Sequence, residues 1–317
     1  MRKPWFCLIL LLLCACNAPA PATPLRIAVL PVLDALPLYV AEAEGYFAAN
    51  DVSVELVPAA SAAERDQLLQ AGQVDGVIAD LAALALYNRE TQPGSPAIVA
   101  VRYAMTPTPD FAQFRVLASA QSGIQTVADL RDVQIGVSEG TVIEYVTVRL
   151  LEAEGLASDH IATLAVPKIS DRMALLSAGE LQAATLPEPL ATLAIQQGAV
   201  LIIDDTRHPE IACSLFAFRR ETLEAQPEAV RGFLAAMSQA SKTINADKSR
   251  WSALLTEKQL VPPPLAGSYT LPDYPGSALP TEAQFADVVR WLQNTGRLEQ
   301  TPAYNDVVNG EFLTRKP

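Results

Sequence analysis

Apolar and polar positions follow two alternating patterns along most of the chain. Short runs rich in Val, Ile and Leu alternate with longer segments whose apolar residues recur at helical spacing. Short buried strands separated by amphipathic helices are typical of an α/β fold with mainly parallel strands. The first series of segments predicts strands at residues 26–30, 53–57, 74–79 and 97–103, and helices at residues 36–48, 62–71 and 81–89.

A second series of segments repeats this order. It predicts strands at residues 133–137, 161–166, 182–186 and 199–203, and helices at residues 141–154, 170–177 and 189–197. The two series also share sequence, since residues 25–31 (LRIAVLP) match residues 133–139 (VQIGVSE) and Arg65 aligns with Arg172. An internal duplication accounts for this likeness, and the similar composition of all βαβ units is the alternative. Both explanations predict two similar lobes.

Two connections between the lobes are expected. Residues 104–114 contain two prolines and leave the first series, and an extended run at residues 211–219 carries the chain back. Two crossings make a hinge. Further helices are predicted at residues 227–245, 249–257 and 282–294. We therefore assign residues 25–104 and 216–317 to lobe 1 and residues 105–215 to lobe 2.

The N-terminal segment has the pattern of an export signal. Two basic residues precede an apolar run at residues 6–13, which ends in the sequence LCAC. The run is shorter than the roughly 20 residues needed to span a bilayer. This sequence resembles a lipobox, which consists of Leu, any residue, Ala and Cys. Cys16 is therefore the expected lipidation site after removal of residues 1–15. Residues 16–24, rich in Pro and Ala, would form an extended tether. An ordinary cleaved signal or an uncut anchor is the alternative.

Composition and charge exclude several classes of function. Half of the 317 residues are hydrophobic, which is enough for a large core, and the formal net charge is −12. This charge argues against binding to nucleic acid or to anionic lipid. Once the signal is removed and Cys16 carries lipid, Cys213 remains alone, so neither a disulfide framework nor a Cys metal cluster is expected. The two histidines, His160 and His208, lie in polar loops and are interpreted as solvated residues.

The candidate binding residues follow the predicted strands. In open parallel sheets, ligands bind outside the carboxyl ends of the strands, and in two lobes these ends face each other across a cleft. Residues 138–141 open a helix, whose N–H groups can receive an acceptor atom of a ligand. Simple helix capping is the alternative for Ser138, Asp34 and Asp80. The candidate ligand-binding residues are Asp34, Asp80, Tyr103, Ser138, Glu139, Gly140, Thr141, Tyr145 and Glu188.

Two segments carry a resemblance to a known family. LPLYVAEAEGYFAANDVSVELVP (residues 36–58), followed by AGQVDGVIAD (residues 71–80), resembles the solute-binding proteins of ABC importers. The most similar branch includes alkanesulfonate, nitrate and thiamine-pyrimidine binders, with riboflavin-binding lipoproteins as relatives. The resemblance covers about residues 25–245. It implies a two-lobed, type II periplasmic-binding-protein-like fold that closes on a small molecule and presents it to a membrane permease and its ATPase.

The expected ligand follows from charge and from this resemblance. The predicted strand ends carry more acidic than basic residues: Asp34, Asp80, Glu139 and Glu188 against Arg102 and Lys168. This balance favours a neutral or cationic ligand, and Tyr39, Tyr103 and Tyr145 offer rings that can stack on a heterocycle. Riboflavin is the first choice. A thiamine pyrimidine precursor and an alkanesulfonate or nitrate-type anion are the alternatives.

Two other classes of protein are alternatives to a transport binding protein. An enzyme on the same fold, such as a pyrimidine synthase, would draw on histidine, and neither histidine lies near a predicted strand end. We therefore expect no catalysis and no cofactor. A sensor that passes the ligand to a signalling protein is the second alternative. The expected location is the extracytoplasmic face of the cell membrane, where lipid on Cys16 holds the protein.

Overall fold

The structure, a computed structural model, describes residues 23–313. The predicted signal and the lipidation site Cys16 lie outside these residues. The strands of the described chain are β1 (Leu25–Val29), β2 (Val54–Pro58), β3 (Gly76–Ala79), β4 (Ile98–Met105), β5 (Phe114–Ala118), β6 (Gln134–Val137), β7 (Ala162–Ala165), β8 (Ala183–Pro187), β9 (Val200–Asp204) and β10 (Ser214–Arg219). They form two five-stranded sheets.

Helices follow most of the strands. They are α1 (Leu36–Ala43), α2 (Tyr46–Ala49), α3 (Ala62–Gln70), α4 (Leu81–Tyr87), α5 (Val142–Ala153), α6 (Ile169–Ala178), α7 (Leu190–Gln196), α8 (Arg220–Ala225), α9 (Pro227–Ala246), α10 (Ser252–Glu257), α11 (Glu282–Asn294) and α12 (Tyr304–Val307). The single helix predicted at residues 36–48 is wrong. It is two helices, because the chain turns at Gly45, whose φ of 71° is readily adopted by glycine. No described helix combines the length and the apolar character needed to span a bilayer.

The two sheets have the same topology. The first sheet has the order β2-β1-β3-β10-β4, and the second has the order β7-β6-β8-β5-β9. In the first sheet, β1 pairs in parallel with β2 and β3, whereas β10 is antiparallel to β3 and β4. In the second, β6 pairs in parallel with β7 and β8, whereas β5 is antiparallel to β8 and β9. The predicted two-lobed α/β fold with mainly parallel strands is confirmed.

The antiparallel strand of each sheet adjoins a chain crossing. The chain leaves the first sheet after Met105 and enters the second with β5, which the sequence analysis did not predict. It leaves the second sheet after Asp204 and returns with β10. The two crossings are joined by Asp205, whose carboxylate accepts hydrogen bonds from the backbone N–H groups of Gln113 (2.9 Å) and Phe114 (3.1 Å). We call each sheet with its packed helices a lobe; the exact residue boundaries of the lobes stay a prediction.

The C-terminal helices pack on the first lobe. Phe233 of α9 lies against Phe216 and Phe218 of β10, with ring centroids 5.4 and 5.3 Å away, and is stacked on Phe47 of α2. Beyond α12, Val308 bridges in parallel to Ala100 of β4. Hydrophobic burial of large aromatic side chains is the main stabilising contribution at such contacts. The C-terminal segment thereby completes the core of the first lobe.

Candidate functional site

A cavity of about 110 Å³, partly open to solvent, lies where the carboxyl ends of the parallel strands of both sheets meet. Its polar lining comes from both lobes. The lining residues that directly follow strands or open the next helix include Asp34, Ser61 and Asp80 from the first lobe and Ser138, Thr141 and Glu188 from the second. Because the two sheets supply equivalent positions, a molecule in this cavity contacts both lobes at once.

Five of the predicted site residues line this cavity together: Asp34, Asp80, Ser138, Thr141 and Glu188. Capping, the alternative considered for such residues, is also realised. Asp80 caps α4 by accepting a hydrogen bond from the Ala83 N–H at 2.8 Å. Thr141 caps α5 by accepting one from the Ile143 N–H at 3.2 Å. Each side chain thus caps a helix and faces the cavity, so the two interpretations are compatible.

The remaining predicted residues lie elsewhere. Glu139 is exposed. Gly140 lines a second cavity, which we call the outer cavity to distinguish it from the inner cavity described above. The N–H of Gly140 donates to Glu144 Oε2 at 2.7 Å. The hydroxyl of Tyr103 donates to Gln284 Oε1 at 2.9 Å. The hydroxyl of Tyr145 donates to Asp287 Oδ2 of α11 at 2.7 Å. Neither ring is among the residues that line the inner cavity.

Asp34 marks an end of the cavity that is rich in hydrogen-bond acceptors. Its side chain is buried, and Oδ1 accepts hydrogen bonds from Gln113 Nε2 (3.1 Å) and from the Ser214 hydroxyl. Burial raises the pKa of Asp34, and these two donors oppose the shift. Gln113 Oε1 is buried with no hydrogen-bond partner among the described residues. A ligand group with N–H or O–H donors would satisfy this oxygen.

Glu188 adds a second carboxylate from the other lobe. Its Oε1 lies 2.9 Å from Arg115 Nε as an ion pair, and Oε2 accepts a hydrogen bond from the Tyr269 hydroxyl at 3.1 Å. Burial raises the pKa of Glu188, and the Arg115 charge opposes this shift. The pKa of Asp80 is likewise raised by burial against the opposing charge of Arg65. Partial desolvation of three carboxylates favours a positively charged or donor-rich ligand group beside them.

Arg65 is the functional candidate that the sequence analysis missed. It lies at the end of the first turn of α3 and is 5% exposed. Its Nε donates to Asp66 Oδ1 at 2.8 Å, and its Nη1 donates to the carbonyl of Ile78 at 3.0 Å. Among the lining residues of the inner cavity it has the only guanidinium group. The available signal was its alignment with Arg172, which indicated duplication but not a place at the cavity.

Arg172 occupies the equivalent position behind the second lobe's part of the cavity. It is fully buried, and its Nη1 donates to Ser138 Oγ (2.9 Å) and to the carbonyl of Val166 (2.8 Å). Its Nε and Nη2 have no hydrogen-bond partner among the described residues. Burial lowers the pKa of Arg172 to about 10, so the group remains charged at neutral pH. Its charge makes the potential at Ser138 more positive.

The cavity therefore has two chemically different ends. One end has the acceptors Asp34, Gln113 and Glu188. The other has the Ser61 hydroxyl, Arg65 with the opposing charge of Asp80, and the N-termini of α3 and α5, where Ala62 and Val142 line the cavity. The first N–H groups of a helix have no partner within it and attract negative charge. Apolar side chains complete the wall, among them Val32, Ile78, Met105, Phe114, Ile143 and Ile169.

Comparison with known proteins places the chain in a family. One curated relative, a putative aliphatic sulfonates-binding protein of Escherichia coli strain K12, is 26% identical over 172 residues, which cover 54% of this chain and 53% of that protein. The chain thus matches about half the length of this relative.

Solved structures with a similar fold cover nearly the whole chain. The alkanesulfonate-binding protein SsuA from Xanthomonas axonopodis pv. citri, bound to MOPS, has a TM-score of 0.74 at 18% identity, covering 90% of this chain and 98% of that one. SsuA from Escherichia coli has a TM-score of 0.73 at 20% identity, covering 93% and 94%. The desulfurization enzyme DSZB has a TM-score of 0.67 at 16% identity, covering 92% and 97%.

These likenesses confirm the resemblance to solute-binding proteins of this branch. At such identities, the solved structures establish a common fold. The pattern of the NMT1-like family matches residues 18–255, which is most of the chain. The protein belongs to the NMT1-like family.

Proposed function

We propose that the protein is the solute-binding component of an ABC importer. It captures a small molecule outside the cytoplasmic membrane and delivers it to a permease and its ATPase. The observation that carries this proposal is the cavity between two lobes of equal topology, lined by strand ends from both. A ligand that contacts both lobes stabilises their closed arrangement, which is a form that a permease can distinguish from the empty protein. The relative from E. coli, named as a binding protein for aliphatic sulfonates, supports the same role.

The ligand that suits the cavity best is a small zwitterion, an amine joined to a sulfonate by a short alkyl chain. The sulfonate would lie at the end formed by Arg65, Ser61 and the N-termini of α3 and α5. The ammonium would lie at the end formed by Asp34 and Glu188. Charge-assisted hydrogen bonds at both ends and apolar contact between them match this chemistry. A plain anion would offer no donor to Gln113 Oε1 and would lie in the same cavity as the negative charges of Asp34 and Glu188.

A flavin is less well supported than the sequence analysis expected. Cavities for drug-sized ligands are typically about 300–1,000 Å³, whereas this one is about 110 Å³. None of the three tyrosines expected to stack on a heterocycle, Tyr39, Tyr103 and Tyr145, lines the cavity. Tyr103 and Tyr145 contact the C-terminal segment instead. Riboflavin and aminopyrimidines therefore serve as competing ligands in the test.

Binding fits the cavity better than catalysis does. Cys213 is the only potential thiol nucleophile among the lining residues, and burial raises its pKa, which keeps the thiol protonated and weakly nucleophilic. His160 lies beside Asp132 and His208 beside Glu154, and neither lines the cavity. Neither histidine is therefore placed to activate Cys213 or Ser214, and the Ser214 hydroxyl donates instead to Asp34.

Thermal unfolding of the purified protein tests the proposed ligand class. We expect aminoethanesulfonate to stabilise the protein by about 2.7 kcal/mol at 100 times its Kd. Ethanesulfonate and ethylamine, which carry only one of the two charges, should stabilise it less at equal concentration. Riboflavin and an aminopyrimidine are the competitors. Stabilisation by either of them, with none by any sulfonate, would contradict the proposal of a zwitterion.

Lipid anchoring through Cys16 is the second part of the proposal, and it rests on the LCAC sequence. We expect Cys16→Ala to abolish incorporation of radiolabelled palmitate, because no thiol remains at the acceptor position. Cys14→Ala, two residues away, is the matched control and should keep the label. Label retained in the Cys16 variant would show that this cysteine is not the lipid acceptor.

A further inference from the structure

Helix α11 is fastened to the first lobe by its N-terminal end and its apolar face. Gln284 accepts a hydrogen bond from the Tyr103 hydroxyl of β4 at 2.9 Å and donates to the carbonyl of Glu210 at 2.9 Å. Phe285 and Leu292 are buried in the same core as helix α4, against which α11 packs. Helix α4 begins directly after Asp80 of the cavity. The position of α11 is thus fixed relative to the first lobe's part of the site.

The same helix also contacts α5 of the second lobe. Asp287 receives two hydrogen bonds from Arg149, from Nε to Oδ2 at 2.9 Å and from Nη2 to Oδ1 at 2.8 Å. The Tyr145 hydroxyl donates to Asp287 Oδ2 at 2.7 Å, and the Tyr145 ring meets Trp291 edge-on, with centroids 5.5 Å apart. Bidentate pairing of arginine with a carboxylate is both strong and orientationally specific. This contact therefore fixes the orientation of α5 as well as its distance from α11.

A second contact connects the C-terminal segment to the loop that opens α5. Arg297, just beyond α11, donates from Nη2 to Glu144 Oε1 at 3.0 Å. The other oxygen of this buried carboxylate, Oε2, accepts the hydrogen bond from the Gly140 N–H at 2.7 Å. Gly140 immediately precedes Thr141, which lines the cavity. Arg297 is thereby linked through one side chain to the backbone of the candidate ligand loop.

We propose that α11 and Arg297 act as an interlobe strap that holds α5 and the loop at residues 138–141 in the arrangement that binds the ligand. Asp287 and Arg297 are positioning residues in this proposal, since neither lines the inner cavity. Two backbone crossings connect the lobes, and the strap adds non-covalent contacts to those that Tyr269 makes with Glu188 and that α4 makes with α5. The inference rests on the proposed solute-binding function for its effect on affinity, but the strap itself can be tested without a ligand.

The effect on binding follows from the fraction of protein in the competent arrangement. When only part of the protein is competent, the apparent Kd is the intrinsic Kd divided by that fraction. Without the strap, α5 departs more often from the arrangement that binds the ligand, which lowers the fraction of competent protein. The same motion exposes the backbone amides in the first turns of α5 to solvent more often. Affinity and amide exchange should therefore change together.

Asp287→Ala and Arg297→Gln test the strap separately. We expect each variant to bind aminoethanesulfonate about threefold to tenfold more weakly by calorimetry. We also expect faster hydrogen exchange at residues 138–149 in the ligand-free protein. Glu154→Gln is the matched control, because Glu154 pairs with Arg207 (2.9 Å) at the other end of α5 and makes no contact with α11 among the contacts described. It should leave both measurements unchanged.

The outcomes separate the two proposals. Unchanged exchange in Asp287→Ala and Arg297→Gln would overturn the strap, whatever the ligand is. Faster exchange in both variants, with no binding of aminoethanesulfonate even by the unmodified protein, would support the strap and contradict the proposed ligand. If Asp287→Ala fails to fold, Arg297→Gln still decides, because it leaves the Arg149 pair intact. Faster exchange with unchanged affinity would overturn the positioning role.

Discussion

Replacement of Arg65 by glutamine is expected to weaken aminoethanesulfonate binding by about 10-fold to 100-fold. A hydrogen bond to a charged group contributes about 1.5–3 kcal/mol, and each 1.4 kcal/mol corresponds to about a tenfold change in Kd. Arg65 is 5% exposed, so water cannot replace its charge at this end of the cavity. Its Nε and Nη1 already contact Asp66 and the Ile78 carbonyl, which hold the guanidinium in place before a ligand arrives.

Titration calorimetry on three variants checks this result. Arg65→Lys keeps the charge but loses the planar set of donors, so an intermediate affinity is expected. Arg89→Gln is the matched control, because Arg89 lines the outer cavity and its side chain is 55% exposed. Melting temperatures without ligand show whether each variant is folded. An Arg65→Gln protein that is folded and binds with unchanged affinity would show that Arg65 does not hold the anion.

The positions of most strands could be predicted from the sequence because short apolar runs alternate with amphipathic helices along the chain. Eight strands were predicted close to their observed places, and β10 was recognised as an extended run. Strand β5 was missed, because it directly follows the proline-containing crossing and no helix separates it from β4. The predicted helix at residues 36–48 ran past the turn at Gly45, since the apolar residues on both sides fit one helical period. Strand β5 depends on tertiary pairing with β8 and β9, whereas the helix break depends on the local conformation of Gly45.

The candidate site was predicted in part, for a related reason. Asp34, Asp80 and Glu188 were identified because they directly follow strands, and the carboxyl ends of parallel strands meet at one edge. Arg65 escaped notice because it lies one helical turn further on, where facing the cavity depends on how α3 packs. Tyr145 occupies a comparable position on α5 but faces α11 instead. Position after a strand is readable from sequence, whereas the direction of a helix face is set by packing.

Truncation of Phe233 to alanine is expected to lower the free energy of unfolding by about 3–5 kcal/mol, the usual range for a buried phenylalanine. Phe233 is fully buried between α2 and β10, where three other rings surround it. Alanine would leave a cavity that these rings cannot fill without leaving their own rotamers. Because Phe233 and the three rings around it all belong to the first lobe, the loss falls on that lobe.

Urea unfolding followed by circular dichroism measures this loss. The midpoint should fall while the slope of the transition remains unchanged, since the surface exposed on unfolding is nearly the same. If the two lobes unfold separately, only the transition of the first lobe should move. Leu201→Ala is the control, because Leu201 is 41% exposed on β9 of the second lobe and its removal should change stability by less than about 0.5 kcal/mol. A loss below about 1 kcal/mol for Phe233→Ala would mean that the aromatic cluster does not anchor α9 to β10.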